Sequence, residues 1–196
     1  MITHIRRAVI LAVAFIVLVF VYTLAGTGLS QAFFSHQANG SLTANGSTLI
    51  GQNWASPRWF HGRPDDFGPY AASKSQPGGD NPLVANGVSG ASGGTNLGPR
   101  SKTLLDNTRK LVAYWHSMGV NPTPDLVTTS GSGYDPDISP LDATVQIPMV
   151  SKATGIAPSK LRAIIEQQTH SAQWGFLGSS YIDVLRLNEA LAHLEQ

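Results

Sequence analysis

The chain has 196 residues, 42% of them apolar and only 13% charged, against about 25% charged in an ordinary soluble domain. Thirteen Lys or Arg against twelve Asp or Glu leave a net charge of +1, which offers no basic face, so no nucleic-acid partner is expected. There is no Cys, which removes disulfides, thiolate metal sites and Cys nucleophiles together.

Arg6 and Arg7 open the chain, and the next charged residue is Arg58. Within that gap, Ala8 to Ala25 reads as a spanning helix, because a bilayer crossing needs ~20 apolar residues. Gly26 to Leu29 can complete the span. The run exceeds the roughly 7–15 apolar residues of a cleaved signal peptide, so it is read as an anchor. The positive-inside rule keeps Arg6 and Arg7 in the cytoplasm. The expected layout is residues 1–7 cytoplasmic, 8–28 transmembrane, and 29–196 as one domain outside the bacterial inner membrane.

Residues 30–61 are polar but almost uncharged, and Asn45-Gly46 between Leu42 and Leu49 predicts a tight hairpin turn. Residues 62–99 hold nine Gly, five Pro and four Ser, so no helical or strand period survives and a long loop is expected. Three helices follow. Ser101 to Met118 carries Leu104, Thr108, Leu111, Val112 and Trp115 on one stripe, and Gly119 ends it. Ser139 to Thr154 starts on Ser139 as N-cap with Pro140 in the first turn, and Pro148 should kink or split it. Pro158 to Thr169 carries Leu161, Ile164, Ile165 and Gln168. Val184 to Leu187 reads as a strand, with Asn188 capping a short last helix to Leu194. The strands are short and scattered, so the domain is expected to be α+β, a mixed α/β domain behind a single N-terminal transmembrane helix.

No motif assembles a catalytic constellation. Gly90-Ala91-Ser92-Gly93-Gly94 satisfies G-x-S-x-G but lacks the strand and helix that a nucleophile elbow requires. As a serine hydrolase the chain would use Ser92, with His61 or His116 as base. Six histidines are dispersed, with none of the spacings of a zinc site. Ser130, Gly131, Ser132, Gly133, Asp135 and Asp137 could gather oxygens around a hard cation, but they fit better as Asx and Ser turns delivering the chain to a helix. Ser92, Gly93, Gly94, Thr95, Asn96, Leu97 and Gly98 form a nest-like run without any P-loop lysine. No catalytic, cofactor or metal residue is therefore assigned. Arg58 and Arg63 with Trp54, Trp59, Phe60 and Phe67 form either a docking surface or a peripheral part of the core. A third reading is a cell-wall-binding module using Trp54, Trp59 and Trp115.

Several segments occur in a distinctive order behind the anchor. They are Gly46-Ser47 with Leu49-Ile50-Gly51-Gln52; Phe60, His61, Gly62, Arg63 and Pro64; Ser92 to Pro99; Asp125 to Pro140; and Asp183 to Leu191. In this order they closely resemble the KdpC family, the C subunit of the Kdp-type potassium-transporting ATPase, over essentially the whole chain. The family commonly has Ser at the position of Thr95 and His at the position of Asp137. The resemblance implies a non-catalytic subunit of a P-type pump for potassium. It also implies a channel-like subunit, an ATP-hydrolysing subunit and a small stabilising subunit as partners. The family is credited with complex assembly and, as a catalytic chaperone, with raising ATP affinity. The expected topology puts residues 29–196 across the membrane from the nucleotide, so an ATP effect would be indirect. The uncharged stretch from Gly26 to Pro57 is then expected to lie against membrane and partner protein.

Overall fold

A computed structural model describes residues 2–52, 54, 56–64 and 94–195. The chain forms two compact units, residues 1–42 and 43–196.

In the first unit, helix α1 (Ile2–Phe33) runs for 32 residues and buries none of them. It is long and apolar enough to cross a membrane. At 1.5 Å per residue it extends about 48 Å, more than a ~30 Å hydrocarbon layer demands. The helix passes position 28, the expected end of the span, and stops only before Phe34. Its threonines return their hydroxyls to the helix: Thr23 Oγ1 donates to the Val19 carbonyl at 3.0 Å, and Thr27 Oγ1 to that of Thr23 at 2.9 Å. Polarity satisfied in this way is compatible with lipid. A single turn, α2 (Ser35–Ala38), follows.

The second unit contains α3 (Lys102–Ser117), a 3₁₀ turn (Asp125–Val127), β1 (Asp137–Ile138), α4 (Pro140–Thr154), α5 (Pro158–Gln168), β2 (Ile182–Asp183) and α6 (Val184–Leu194). The strands pair antiparallel, Asp137 opposite Asp183 and Ile138 opposite Ile182. Each strand runs straight into a capped helix. Ser139 accepts from the Asp142 N–H and Asp142 from the Ser139 N–H, a complete capping box for α4. Asp183 Oδ1 accepts from the Arg186 N–H at 2.9 Å and caps α6. Helix α5 packs against both α4 and α6. The core gathers Phe60, Trp115, Leu126, Ile147, Leu161, Ile182, Leu187 and Leu191.

Two expectations are corrected and a third is met. Val184 to Leu187 is the first turn of α6 rather than a strand. Val184, Leu187, Asn188 and Leu191 are all buried, an i, i+3, i+4, i+7 stripe, and a short apolar run cannot by itself distinguish strand from helix. Asn188 therefore lies inside the helix, and Asp183 is its cap. Pro148 does not break α4, which is continuous from Pro140 to Thr154. Pro148 is exposed, so the Thr144 carbonyl it leaves without an N–H faces the wet side of the helix. The turn expected at Asn45-Gly46 does close, the Thr43 N–H donating to the Gly46 carbonyl at 2.6 Å.

Candidate functional site

Three of the sequence motifs meet around one small cavity. It is lined by Gly51 and Gln52, by His61 and Arg63, and by Tyr134 and Asp135 among others. Its volume is about 20 Å³, room for a single water.

The segment through Phe60 and His61 is buried but belongs to no sheet, and its hydrogen bonds follow the pattern of an extended chain. In an extended chain the N–H and C=O of one residue point to one side, and those of the next residue to the other. Two helices supply the missing partners. From α6, Asn188 Oδ1 accepts the Phe60 N–H at 2.9 Å and Asn188 Nδ2 donates to the Phe60 carbonyl at 2.8 Å. From α4, Gln146 Oε1 accepts the His61 N–H at 2.8 Å and Gln146 Nε2 donates to the His61 carbonyl at 3.1 Å. Each side-chain amide stands in for a peptide group of a neighbouring strand. Gln146 and Asn188 are 0% and 1% exposed, so no solvent could replace these bonds. Sequence reasoning missed both residues in this role. The available signal was an amide on an apolar helical stripe, Gln146 among Ala143, Ile147 and Val150, and Asn188 among Val184, Leu187 and Leu191.

His61 is 2% exposed. Its Nε2 pairs with the Ser56 carbonyl at 3.1 Å, its ring lies 5.3 Å from that of Trp115, and its Nδ1 has no hydrogen-bond partner among the described residues. Burial pushes its pKa down to about 4, the Ser56 hydrogen bond opposing. Trp115 is itself fixed by donating Nε1–H to the Leu126 carbonyl at 2.9 Å. Arg63 reaches across to the loop before β1. Its Nη2 donates to the Thr129 carbonyl at 3.0 Å, and its guanidinium lies 3.8 Å from Asp125 and 3.7 Å from Asp135. Gly51 closes the other wall: its N–H donates to the Tyr134 carbonyl at 2.7 Å, and a Cβ there would stand 2.8 Å from the Asp135 carbonyl. Only glycine permits that approach.

Within the Ser130 to Asp137 loop, several polar atoms close turns of the loop itself. Ser130 Oγ accepts from the Gly133 N–H at 3.0 Å and lies 3.2 Å from Ser132 Oγ, while Asp135 Oδ1 accepts from the Asp137 N–H at 3.1 Å. Gly94 packs on Gly131, an added Cβ there falling 3.2 Å from its carbonyl. Asn96 adopts φ +53 and donates to the Gly94 carbonyl at 3.0 Å. Thr95 and Leu97 are half-buried, Gly98 is exposed, and Pro64 is buried beside Arg63. Ser92, Gly93 and Phe67 lie outside the described residues, as does residues 65–93 of the expected loop. Phe60 is a core residue at 0% exposure, whereas Trp54 and Trp59 pack edge to face at its margin, 5.4 Å apart. Trp115 is also 0% exposed, so it offers no surface to a glycan. No group of three or more His, Asp or Glu positioned to hold a metal occurs among the described residues.

Behind the loop, the antiparallel register sets Asp137 directly across from Asp183. Like charges so placed oppose pairing. Burial, then the Asp135 and Asp183 carboxylates, push the Asp137 pKa up to about 6, with His170 opposing. Burial also raises Asp183. A raised carboxylate pKa means that the folded state holds the proton more tightly than the unfolded chain. The stability it contributes is complete below about pH 4 and is lost as pH rises through 6. Asp137 is half-exposed, so solvent screening reduces the effect to about 1 kcal/mol. The Asp137→Asn variant should therefore gain about that much at pH 7.5 and nothing at pH 4, read from denaturation midpoints of the full-length chain.

A family model described as "KdpC: K+-transporting ATPase, c chain" matches residues 5–193. Among curated proteins, the chain is 40% identical to the potassium-transporting ATPase KdpC subunit of Caulobacter vibrioides (strain NA1000 / CB15N) over 201 residues, covering 97% of this chain and 93% of that one. The KdpC subunit of Allorhizobium ampelinum is 41% identical over 199 residues, covering 97% and 96%. That of Gloeobacter violaceus is 40% identical over 177 residues, covering 87% and 85%.

Proposed function

This chain belongs to the KdpC family, the c chain of K+-transporting ATPases, and from that premise we propose that it is a non-catalytic subunit of a potassium pump. The observation that carries the reading is how the shared motifs are used. Their polar groups are engaged in holding the chain to itself: Asn188 on Phe60, Gln146 on His61, Arg63 on Thr129, Ser130 on Gly133. His61, one of the two bases a hydrolase reading could use, is buried against Trp115. ATP hydrolysis then belongs to a partner subunit, and ion conduction to a channel-like one.

In this reading α1 lies in the bilayer with Arg6 and Arg7 on the cytoplasmic side, and residues 29–196 stand outside the inner membrane. A small stabilising subunit completes the assembly. No nucleotide is bound by this chain. Any rise in ATP affinity reaches the hydrolysing subunit by linkage, since two sites on opposite sides of a membrane can only be coupled through conformation.

Purification of a tagged chain from native membranes in mild detergent tests this. The ATP-hydrolysing and channel-like subunits should be recovered with it in fixed ratio; recovery of the chain alone would defeat the proposal. A reporter active only outside the cytoplasm, fused after Gln196, should be active.

A further inference from the structure

Between α5 and β2, residues 170–181 contribute no buried residue to the core, yet they are tightly built. His170 and Tyr181 exchange backbone hydrogen bonds at 2.9 and 3.0 Å, and their rings stack at 4.9 Å. Three residues further in on one arm and four on the other, Gln173 and Leu177 exchange a second pair, both at 2.9 Å. The tip this hairpin presents is apolar: Trp174 is 83% exposed, Phe176 74% and Leu177 45%. Trp174 also sits at φ +52, where a bulky residue is an outlier. Strain of that kind persists where a particular presentation of the side chain is used.

We propose that Trp174, Phe176 and Leu177 form a knob that inserts into an apolar pocket on a companion subunit of the same pump. This deepens the subunit reading above and rests on it. The charge pattern fits: from Gln167 to Ile182 there is no Asp, Glu, Lys or Arg, so the complementary surface is uncharged. Area selects the kind of partner. Two aromatic side chains and part of a leucine expose about 400 Å² of apolar surface, roughly half of what one side of a stable interface buries. Alone, such a knob would not retain a freely diffusing protein. A partner already held beside the chain by the membrane helix is at high effective concentration, and half an interface then suffices. The fixed hairpin favours a shaped protein pocket over lipid, because pre-organisation improves binding only where the partner has a shape to match.

The test uses the full-length tagged chain purified with its complex. Trp174→Asn keeps a residue that tolerates the left-handed backbone, and should lower recovery of companion subunits at least tenfold after a detergent wash. Trp174→Tyr should restore most of it. The thermal midpoint of the Trp174→Asn chain should stay within 2 °C of the parent, about the span of an ordinary surface substitution. A benzophenone amino acid in place of Phe176 should photo-crosslink to one companion subunit. Unchanged recovery overturns the proposal, and so does an adduct formed only with lipid or with a second copy of this chain. If the unsubstituted chain brings down no subunits, the subunit reading itself fails; if it does and Trp174→Asn does too, only the knob fails.

Discussion

Replacing Asn188 by Leu should cost the full-length chain about 2–5 kcal/mol, because it strands two buried peptide groups at about 1–3 kcal/mol each. Among the described residues the Phe60 N–H and C=O bond only to Asn188, and Asn188 is 1% exposed, so water cannot reach them without opening the core. Leucine has the same number of side-chain heavy atoms as Asn but bulkier methyls, so some overpacking adds to the loss at this buried position. Gln146→Leu should behave alike, stranding the His61 N–H and C=O. For a chain of this size the loss corresponds to roughly 5–15 °C in thermal midpoint. Asn188→Asp is the sharper variant: it keeps the acceptor for the Phe60 N–H but loses the donor to its carbonyl. It should be destabilising near neutral pH, less so where the carboxyl is protonated and can donate. A loss below 1 kcal/mol for Asn188→Leu would show that the extended segment is held by side-chain burial instead. The two amides anchor opposite sides of one segment, so their substitutions should not add independently.

The second large effect is acid lability centred on His61. Its folded pKa near 4 lies below the ordinary histidine value of 6.5. The folded state therefore resists protonation, and the stability that neutral His61 contributes is complete above about pH 6.5 and lost as pH falls towards 4. Integrated over that window the loss reaches about 3 kcal/mol. The carboxylates work in the opposite direction. Asp137, with a folded pKa near 6, regains stability on acidification through the same range, and Asp183 shifts in the same direction. The parent profile should therefore be blunted between pH 4 and 6. Asp137→Asn should steepen its acid limb, and His61→Gln should reverse its slope so that the chain is firmest near pH 4. Denaturant midpoints measured at half-unit pH intervals decide this. A His61→Gln profile parallel to that of the parent would rule out His61 as the source of the acid loss. A crystal or NMR observation of a water at Nδ1, for which the adjoining 20 Å³ cavity has room, would identify what the neutral ring accepts from.

Function was legible at family level because the motifs come in a fixed order, although their individual roles were not. Phe60-His61-Gly62-Arg63-Pro64 reads as a docking surface or part of the core, and the buried Phe60 places at least that residue in the core. The Ser130 to Asp137 run reads as turns, and its hydroxyls and carboxylate do close turns. The aromatic knob escaped notice because Trp174-Gly175-Phe176-Leu177 has no periodicity; only its exposure marks it.

What the sequence determined alone is local. The long apolar helix α1 follows from a continuous apolar run, and α3, α4 and α5 follow from stripes and caps whose partners lie three or four residues apart. Ser101, Ser139 and the Pro residues at first turns set helix starts wherever the chain goes. What only the tertiary structure decided depends on residues brought together from far apart. Phe60 meets Asn188 across 128 positions and His61 meets Gln146 across 85. Asp137 faces Asp183 only because two two-residue strands pair in one register. The strand expected at Val184 failed for the same reason: a four-residue run, apolar but for Arg186, suits either conformation, and burial of Leu187, Asn188 and Leu191 on one face settled it as a helix. Local free energies of a few tenths of a kcal/mol per residue select helices and turns. The choice of partner for a buried amide or carboxylate is worth several times more and is made only when the core closes.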